Sequence, residues 1–94
     1  MPLREIRAKI EKIDAQILNL IEQRTALAKD VLDAKKAVGK PINDEDQNKV
    51  VLERVVNIAT ERGLDSESVK RVFDILIKMN IERQHEMSGE GNLP

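Results

Sequence analysis

Arg24 and Lys35 are long basic residues on a stretch whose regularly spaced neighbours are aliphatic. They lie eleven residues apart, which on an α-helix is about three turns and about 20° of rotation, so both side chains point into nearly the same sector. The surrounding aliphatic positions recur in steps of three and four, with Arg24 filling the one gap: Ile6, Ile10, Ile13, Ile17, Leu20, Leu27, Val31, Ala34 and Val38. Through their long, flexible side chains, these two cations could share one ligand.

Polar residues also interrupt the apolar stripes of the rest of the chain. Continuing the last stripe in steps of four reaches Asn80 and Gln84, and continuing the middle stripe backward reaches Asn48 and Asp44. Cations combined with hydrogen-bonding amides in an aliphatic interior describe a pocket for a small dianion. The joint pattern therefore predicts a binding pocket.

Taken singly, each of these residues has a simpler interpretation. A polar residue on an apolar stripe, such as Arg24, can fix the register of a helix pair. Lys35 can lie along the surface with its ammonium group in water. Asp44 can cap a helix, and Asn80 and Gln84 can be the polar end of a stripe. These interpretations stay open at the level of single residues.

Arg7 is a third cation on the first stripe, but it points elsewhere. It lies seventeen residues before Arg24, which places it about 100° around the helix and about 25 Å away along the axis. If Arg7 contributes to the same pocket, it must come from a second subunit.

Glycine, proline and capping residues predict three helices, at 3–38, about 44–63 and about 66–87. The first contains no Gly or Pro and stops where Gly39 can adopt a left-handed conformation and Pro41 prevents continuation. Asp44 and Asp65 are the expected caps of the other two helices. We therefore expect one all-α domain over residues 1–87 and a flexible tail at 88–94.

The length of the first predicted helix determines the architecture. A compact domain of 94 residues has a radius of gyration of about 12 Å, whereas a helix over 3–38 spans about 50 Å. The shorter helices, each about 30 Å long, cannot cover an apolar seam of that length. We expect three helices per chain, one long and two shorter, that form an intertwined six-helix homodimer. A heteromeric coiled coil is the alternative.

Composition restricts the class of function. The balance of 40% hydrophobic and 35% charged residues indicates a soluble globular chain, and the absence of Cys with a single His favours neither thiolate nor metal chemistry. No cofactor is expected. Sixteen basic and 17 acidic residues are interleaved, so nucleic acid is a poor candidate partner. The sequence shows no span of about 20 apolar residues and no signal-peptide core, so we expect no membrane partner and a cytoplasmic location.

The stretches "LREIRAKIEKID", "EQR", "AKK", "PIND" and "ERQ" together resemble the all-helical class of chorismate mutases. The resemblance covers residues 3–86 without a gap. It implies a stand-alone, intertwined dimer and an isomerase of aromatic amino acid biosynthesis in the shikimate pathway. The implied reaction is the rearrangement of chorismate, a small dianion, to prephenate, which requires a folded substrate and electrostatic stabilisation but no covalent intermediate.

The resemblance also implies roles for individual residues. Arg7 reaches into the partner's site, so that the homodimer has shared active sites. Arg24 and Lys35 bind the substrate carboxylates. Lys35 and Gln84 are the implied catalytic residues, because both contact the ether oxygen at which negative charge develops.

The binding residues implied on the remaining wall are Asp44, near the ring hydroxyl, and Asn80. The family usually has Arg-Glu where this chain has Gln47 and Asn48. The glutamate would accept a hydrogen bond from the substrate's ring hydroxyl, and Asn48 can accept one only through a neutral carbonyl oxygen.

Two other functions remain open. An isochorismate pyruvate-lyase of the same fold would use the same cations, although the length of the "GKPIND" loop and the presence of Asp44 favour the mutase. In a non-catalytic helical dimerisation module, the charges on the seam would only fix the register of the helices.

Overall fold

The computed structural model describes residues 1–89 and contains four helices: α1 Leu3–Ala26, α2 Ala28–Ala37, α3 Glu45–Glu61 and α4 Ser66–Ser88. The predicted all-α chain is confirmed, and its long first helix comprises α1 and α2. The predicted flexible tail, 88–94, starts in the last turn of α4, and its residues 90–94 lie outside the described residues. Among residues 1–89, no helix combines the length and the apolar character that crossing a membrane requires.

The junction between α1 and α2 is a single tightened turn at Leu27. This residue keeps helical φ but has ψ −6°, and its N–H donates to the Arg24 carbonyl at 3.3 Å, three residues back. The same carbonyl accepts a hydrogen bond from Asn80 Nδ2 at 3.2 Å. A side chain that enters the backbone hydrogen-bond ladder is a known cause of such irregularities. The molecule is elongated, and its longest dimension is 53 Å.

Both predicted caps are present. The Asp44 carboxylate accepts from the Gln47 N–H at 3.2 Å at the start of α3, and the Asp65 carboxylate accepts from the N–H groups of Glu67 and Ser68 at the start of α4. Hydrogen bonds from the Ser68 hydroxyl and N–H hold the pKa of the Asp65 carboxyl below its ordinary value. These caps fix where α3 and α4 begin, and so fix the register of the polar residues along them.

The core of a single chain is small and lies on α4. Val55 and Ala59 of α3 are buried together with Ile77 of α4, and Ala28 and Leu32 bury the face of α2 that packs on α4. The two sides of α4 thus hold α2 and α3 apart and leave a space between them. That space contains the candidate site.

Most of α1 has no cover within its own chain. None of its residues is buried, and five aliphatic residues along its inner stripe are 40–59% exposed: Leu3, Ile6, Ile10, Ile13 and Ile17. The segment that carries them extends along the helix to about 30 Å from the point near Arg24 where α1 meets α4. Helices in proteins gain most of their stability from the packing of an apolar face, and within its own chain this stripe of α1 has no such packing.

A second exposed apolar stripe runs along α4. Val72, Ile75 and Met79 are 54%, 58% and 41% exposed. Their spacing of three and four residues places them on one stripe, roughly opposite the buried Ile77 and Gln84. Each chain therefore presents two apolar surfaces, one on α1 and one on α4.

Candidate active site

A cavity of about 250 Å³ lies where the α1–α2 junction, the start of α3 and the second half of α4 meet. Its walls combine aliphatic side chains with cations and amides: Arg24, Leu27, Val31, Lys35, Asp44, Gln47, Asn48, Val51, Ile77, Asn80, Ile81 and Gln84. The structure thus brings together all the residues predicted for the pocket except Arg7. Helical periodicity explains this convergence. The polar residues of the cavity continue the apolar stripes along which the helices pack on one another.

A chain of hydrogen bonds crosses the floor of this cavity from α2 to α1. The Lys35 ammonium donates to Gln84 Oε1 at 3.2 Å, and Gln84 Nε2 donates to Asn80 Oδ1 at 2.6 Å. Asn80 Nδ2 then donates to the Arg24 carbonyl at 3.2 Å. Gln84 is 1% exposed and is the only buried polar side chain among residues 1–89. Its burial is compatible with stability because both ends of its amide are hydrogen-bonded.

Arg24 and Lys35 are partly desolvated cations. Burial lowers the pKa of the Arg24 guanidinium, and the nearby charge of Arg54 lowers it further. Burial also lowers the pKa of the Lys35 ammonium, although the carboxylate of Asp44 opposes that shift. Arginine and lysine side chains ordinarily titrate well above neutrality, so both groups are cations at pH 7. A bound anion would replace the solvation that each cation has lost.

Main-chain carbonyls hold both cations in place. Arg24 donates to the Leu76 carbonyl at 2.9 Å, which ties the guanidinium to α4. Lys35 donates to the Ile42 carbonyl in the loop between α2 and α3. Each cation is therefore oriented before any ligand binds, which lowers the entropy cost of binding.

Asp44 caps α3 and also lines the cavity. One carboxylate oxygen accepts from the Gln47 N–H, and the other lies 3.6 Å from the Lys40 ammonium. The interpretation of Asp44 as a helix cap is therefore correct, and its contact with a substrate hydroxyl stays a prediction.

Asn48 is oriented by a neighbour that the sequence analysis did not single out. Asn48 Nδ2 donates to Asn43 Oδ1 at 2.9 Å. This bond uses the donor end of the Asn48 amide, and within the described part of the chain its Oδ1 accepts no hydrogen bond. The oxygen is thus available as the neutral acceptor that the sequence predicted.

Arg7 does not reach this cavity from its own chain. It lies near the start of α1 in a shallow surface groove with Leu3, Arg4, Ala8 and Glu11. Its separation from Arg24 along the helix is about 25 Å. Within one chain, the cavity therefore has two cations rather than three.

A larger cavity of about 470 Å³ lies between α3 and the first turns of α4. Its charged residues are two lysines, Lys49 and Lys70, and two glutamates, Glu53 and Glu67. Because these opposite charges offset one another, the larger cavity has no net preference for an anion. The smaller cavity is the better candidate site on chemical grounds.

Comparison with known proteins identifies relatives of this chain. The family model described as chorismate mutase type II matches residues 6–85. A chorismate mutase of Methanocaldococcus jannaschii is 42% identical over 78 residues, which are 83% of this chain and 79% of that relative. The bifunctional chorismate mutase/prephenate dehydratases of Enterobacter agglomerans and Escherichia coli are each 30% identical over 86 residues, which are 92% of this chain and 22% of those relatives.

Proposed function

This chain belongs to the type II chorismate mutase family, and from that membership and the cavity we infer that it converts chorismate to prephenate. In this rearrangement a C–O bond breaks as a C–C bond forms, and no proton transfer is required. A catalyst can contribute by holding a flexible dianion in its reactive conformation and by stabilising negative charge on the ether oxygen. The observation that carries the proposal is the convergence of Arg24, Lys35 and Gln84 on one cavity.

We assign conformational control to the cations. Arg24 at the end of α1 and Lys35 on α2 are about three helical turns apart and both line the cavity. They can therefore bind the two carboxylates of one substrate. Hydrogen bonds to the carbonyls of Leu76 and Ile42 hold the two side chains at separate positions.

We assign the electrostatic role to Lys35 and Gln84, which are adjacent in the cavity with Nζ and Oε1 3.2 Å apart. An ammonium and a carboxamide N–H can both donate to an oxygen that becomes negative in the transition state. Removal of water strengthens such interactions, and Gln84 is fully buried.

We propose that the active species is a homodimer in which α1 of one chain covers the cavity of the other. The uncovered stripe of α1 and the exposed stripe of α4 supply complementary apolar surfaces, and each large aliphatic residue that they bury contributes about 1.5–3 kcal/mol. The same arrangement would bring Arg7 to the partner's cavity. The cytoplasmic location expected from the sequence stays a prediction.

The function is tested by incubating the purified chain with chorismate and following the formation of prephenate. We expect saturable turnover, and saturable binding of a bicyclic transition-state mimic, with both lost in Arg24→Ala. A folded chain that binds no mimic would indicate a dimerisation module. Release of pyruvate from isochorismate, without turnover of chorismate, would indicate the lyase.

Replacing Asn48 tests the departure from the family pattern. If the Asn48 oxygen accepts from the substrate's ring hydroxyl, Asn48→Glu should raise kcat/KM about tenfold, since a charged acceptor gains on the order of 1 kcal/mol over a neutral one. Asn43 can rotate its amide and donate to the new carboxylate, so the local hydrogen bond survives. Asn48→Gln, which adds the same length without charge, is the matched control. An unchanged or reduced kcat/KM in Asn48→Glu would show that the pocket is adapted to the amide.

A further inference from the structure

Asn80 lies between Gln84 and the backbone of α1 and contacts both. We propose that Asn80 is a positioning residue that determines which end of the Gln84 carboxamide is available to the substrate. This role rests on the proposed function, and it differs from the substrate contact expected of Asn80 from the sequence.

The direction of the hydrogen-bond chain is determined at its two ends. The Arg24 carbonyl can only accept, and the Lys35 ammonium can only donate. Asn80 must therefore present Nδ2 to the Arg24 carbonyl, at 3.2 Å, and Oδ1 to Gln84. Gln84 must in turn present Nε2 to Asn80, at 2.6 Å, and Oε1 to Lys35, at 3.2 Å.

The opposite orientation of Gln84 has two unfavourable contacts. Its Nε2 would face the Lys35 ammonium, donor against donor, and its Oε1 would face Asn80 Oδ1, acceptor against acceptor. Because Gln84 is 1% exposed, water cannot satisfy either group. The series of hydrogen bonds thus selects one of the two orientations of the Gln84 amide on chemical grounds alone.

The selected orientation leaves one Nε2 hydrogen of Gln84, a residue that lines the cavity, without an acceptor among residues 1–89. A carboxamide nitrogen carries two hydrogens, and Asn80 accepts only one of them. Lys35 likewise has three hydrogens, of which Ile42 and Gln84 accept two. The hydrogens left on these two adjacent groups can converge on one substrate oxygen.

The series of hydrogen bonds ends on the backbone of α1, next to the tightened turn at Leu27. The carbonyl to which Asn80 donates belongs to Arg24, whose own guanidinium donates to the Leu76 carbonyl of α4. These reciprocal bonds join α1 and α4 at one level. Asn80 is thereby held by the backbone and cannot adapt if Gln84 rotates.

A double-mutant cycle tests the proposal. Asn80→Leu removes both hydrogen bonds while keeping the branching at Cγ, and Gln84→Met removes the donor from residue 84 with similar length. We expect Asn80→Leu to lower kcat about tenfold and to change KM less than about twofold. In the Gln84→Met background, Asn80→Leu should change kcat by less than about twofold, because Asn80 acts through Gln84.

The matched control is Asn57→Leu, the same chemical change at an exposed residue beside the other cavity. It should leave kcat and KM unchanged. Equal losses from Asn80→Leu in both backgrounds, or a raised KM with unchanged kcat, would overturn the positioning role. If the parent does not turn over chorismate, the proposed function fails and the positioning role fails with it. An active parent with additive losses overturns the role of Asn80 alone.

Asn80→Asp provides a second variant in case the leucine variant does not fold. It loses the bond to the Arg24 carbonyl but keeps an acceptor oxygen toward Gln84, and Lys35 still favours Oε1 on its side, so the orientation of the Gln84 amide should survive and kcat should stay within about threefold of the parent. Its added negative charge should repel the dianionic substrate and raise KM. A loss of kcat as large as that of Gln84→Met would contradict the proposal.

Discussion

Gln84→Glu is expected to be nearly inactive at neutral pH and to regain activity as the pH falls. A carboxamide donates a hydrogen bond at any ordinary pH, whereas a carboxyl group donates only when it is protonated. At neutral pH the ionised side chain would face the developing charge on the ether oxygen and repel it. The active form of the variant is therefore the protonated one, whose fraction rises as the pH is lowered.

The surroundings of Gln84 influence the pKa of the introduced carboxyl in opposite directions. Burial and the acceptor oxygen of Asn80 favour the protonated form, whereas the ammonium of Lys35 favours the ionised form. Above the resulting pKa, kcat/KM of the variant should rise about tenfold for each unit by which the pH falls. The parent should show no comparable activation by acid.

The measurement is kcat/KM of the parent and of Gln84→Glu from about pH 4.5 to about pH 8.5, with circular dichroism to confirm that each protein stays folded. Gln84→Met is the control, and it should be weakly active with a flat profile. A folded Gln84→Glu variant whose profile runs parallel to that of the parent would show that residue 84 does not contact the reacting oxygen. Electrostatic stabilisation would then rest on Lys35 alone.

Mixing two inactive variants is expected to restore activity. Arg7→Ala and Arg24→Ala should each lose most activity, because each removes a cation that binds the dianion. If Arg7 acts in the partner's cavity, a mixed dimer contains one site with both arginines and one site with neither. Random exchange of equal amounts makes half of the dimers mixed, so about a quarter of the parent's activity should return.

The mixing experiment also tests the dimer itself. Subunit exchange is verified by native mass spectrometry, and Arg4→Ala, which alters a neighbouring arginine outside the cavity, is the control that should stay active on its own. Demonstrated exchange without recovery would exclude a contribution of Arg7 in trans. A monomeric mass at all concentrations, with helicity intact, would contradict the dimer.

The fold was largely predictable because its determinants are local. Apolar spacing, Asp44 and Asp65 as caps, and Gly39 with its positive φ of 70° each act within a few residues of the element that they define. The tightened turn at Leu27 was not predictable. It coincides with a hydrogen bond from Asn80, 56 residues away from Arg24 along the chain, and helical periodicity carries no information about such a contact.

That these side chains line one cavity was predictable, but their hydrogen-bond partners were not. Arg24, Lys35 and Gln84 lie on stripes that helix packing must bring together. The carbonyl groups of Ile42 and Leu76 that orient the two cations are present at every residue and have no signature in the sequence. The bond between Asn43 and Asn48 likewise depends on the path of the loop before α3, although the "PIND" stretch that contains Asn43 indicates where to look.

The bare stripe of α1 has a consequence for the kinetics of folding. The helices of a single chain can form within microseconds, because their contacts are local in sequence. In the proposed homodimer, completion of the core waits for a second chain, so the final step of refolding would be a collision whose rate rises with protein concentration. If the dimer forms as proposed, a newly synthesised chain exposes five large aliphatic residues until it meets a second copy, and this waiting time, rather than helix formation, sets its exposure to aggregation and proteolysis.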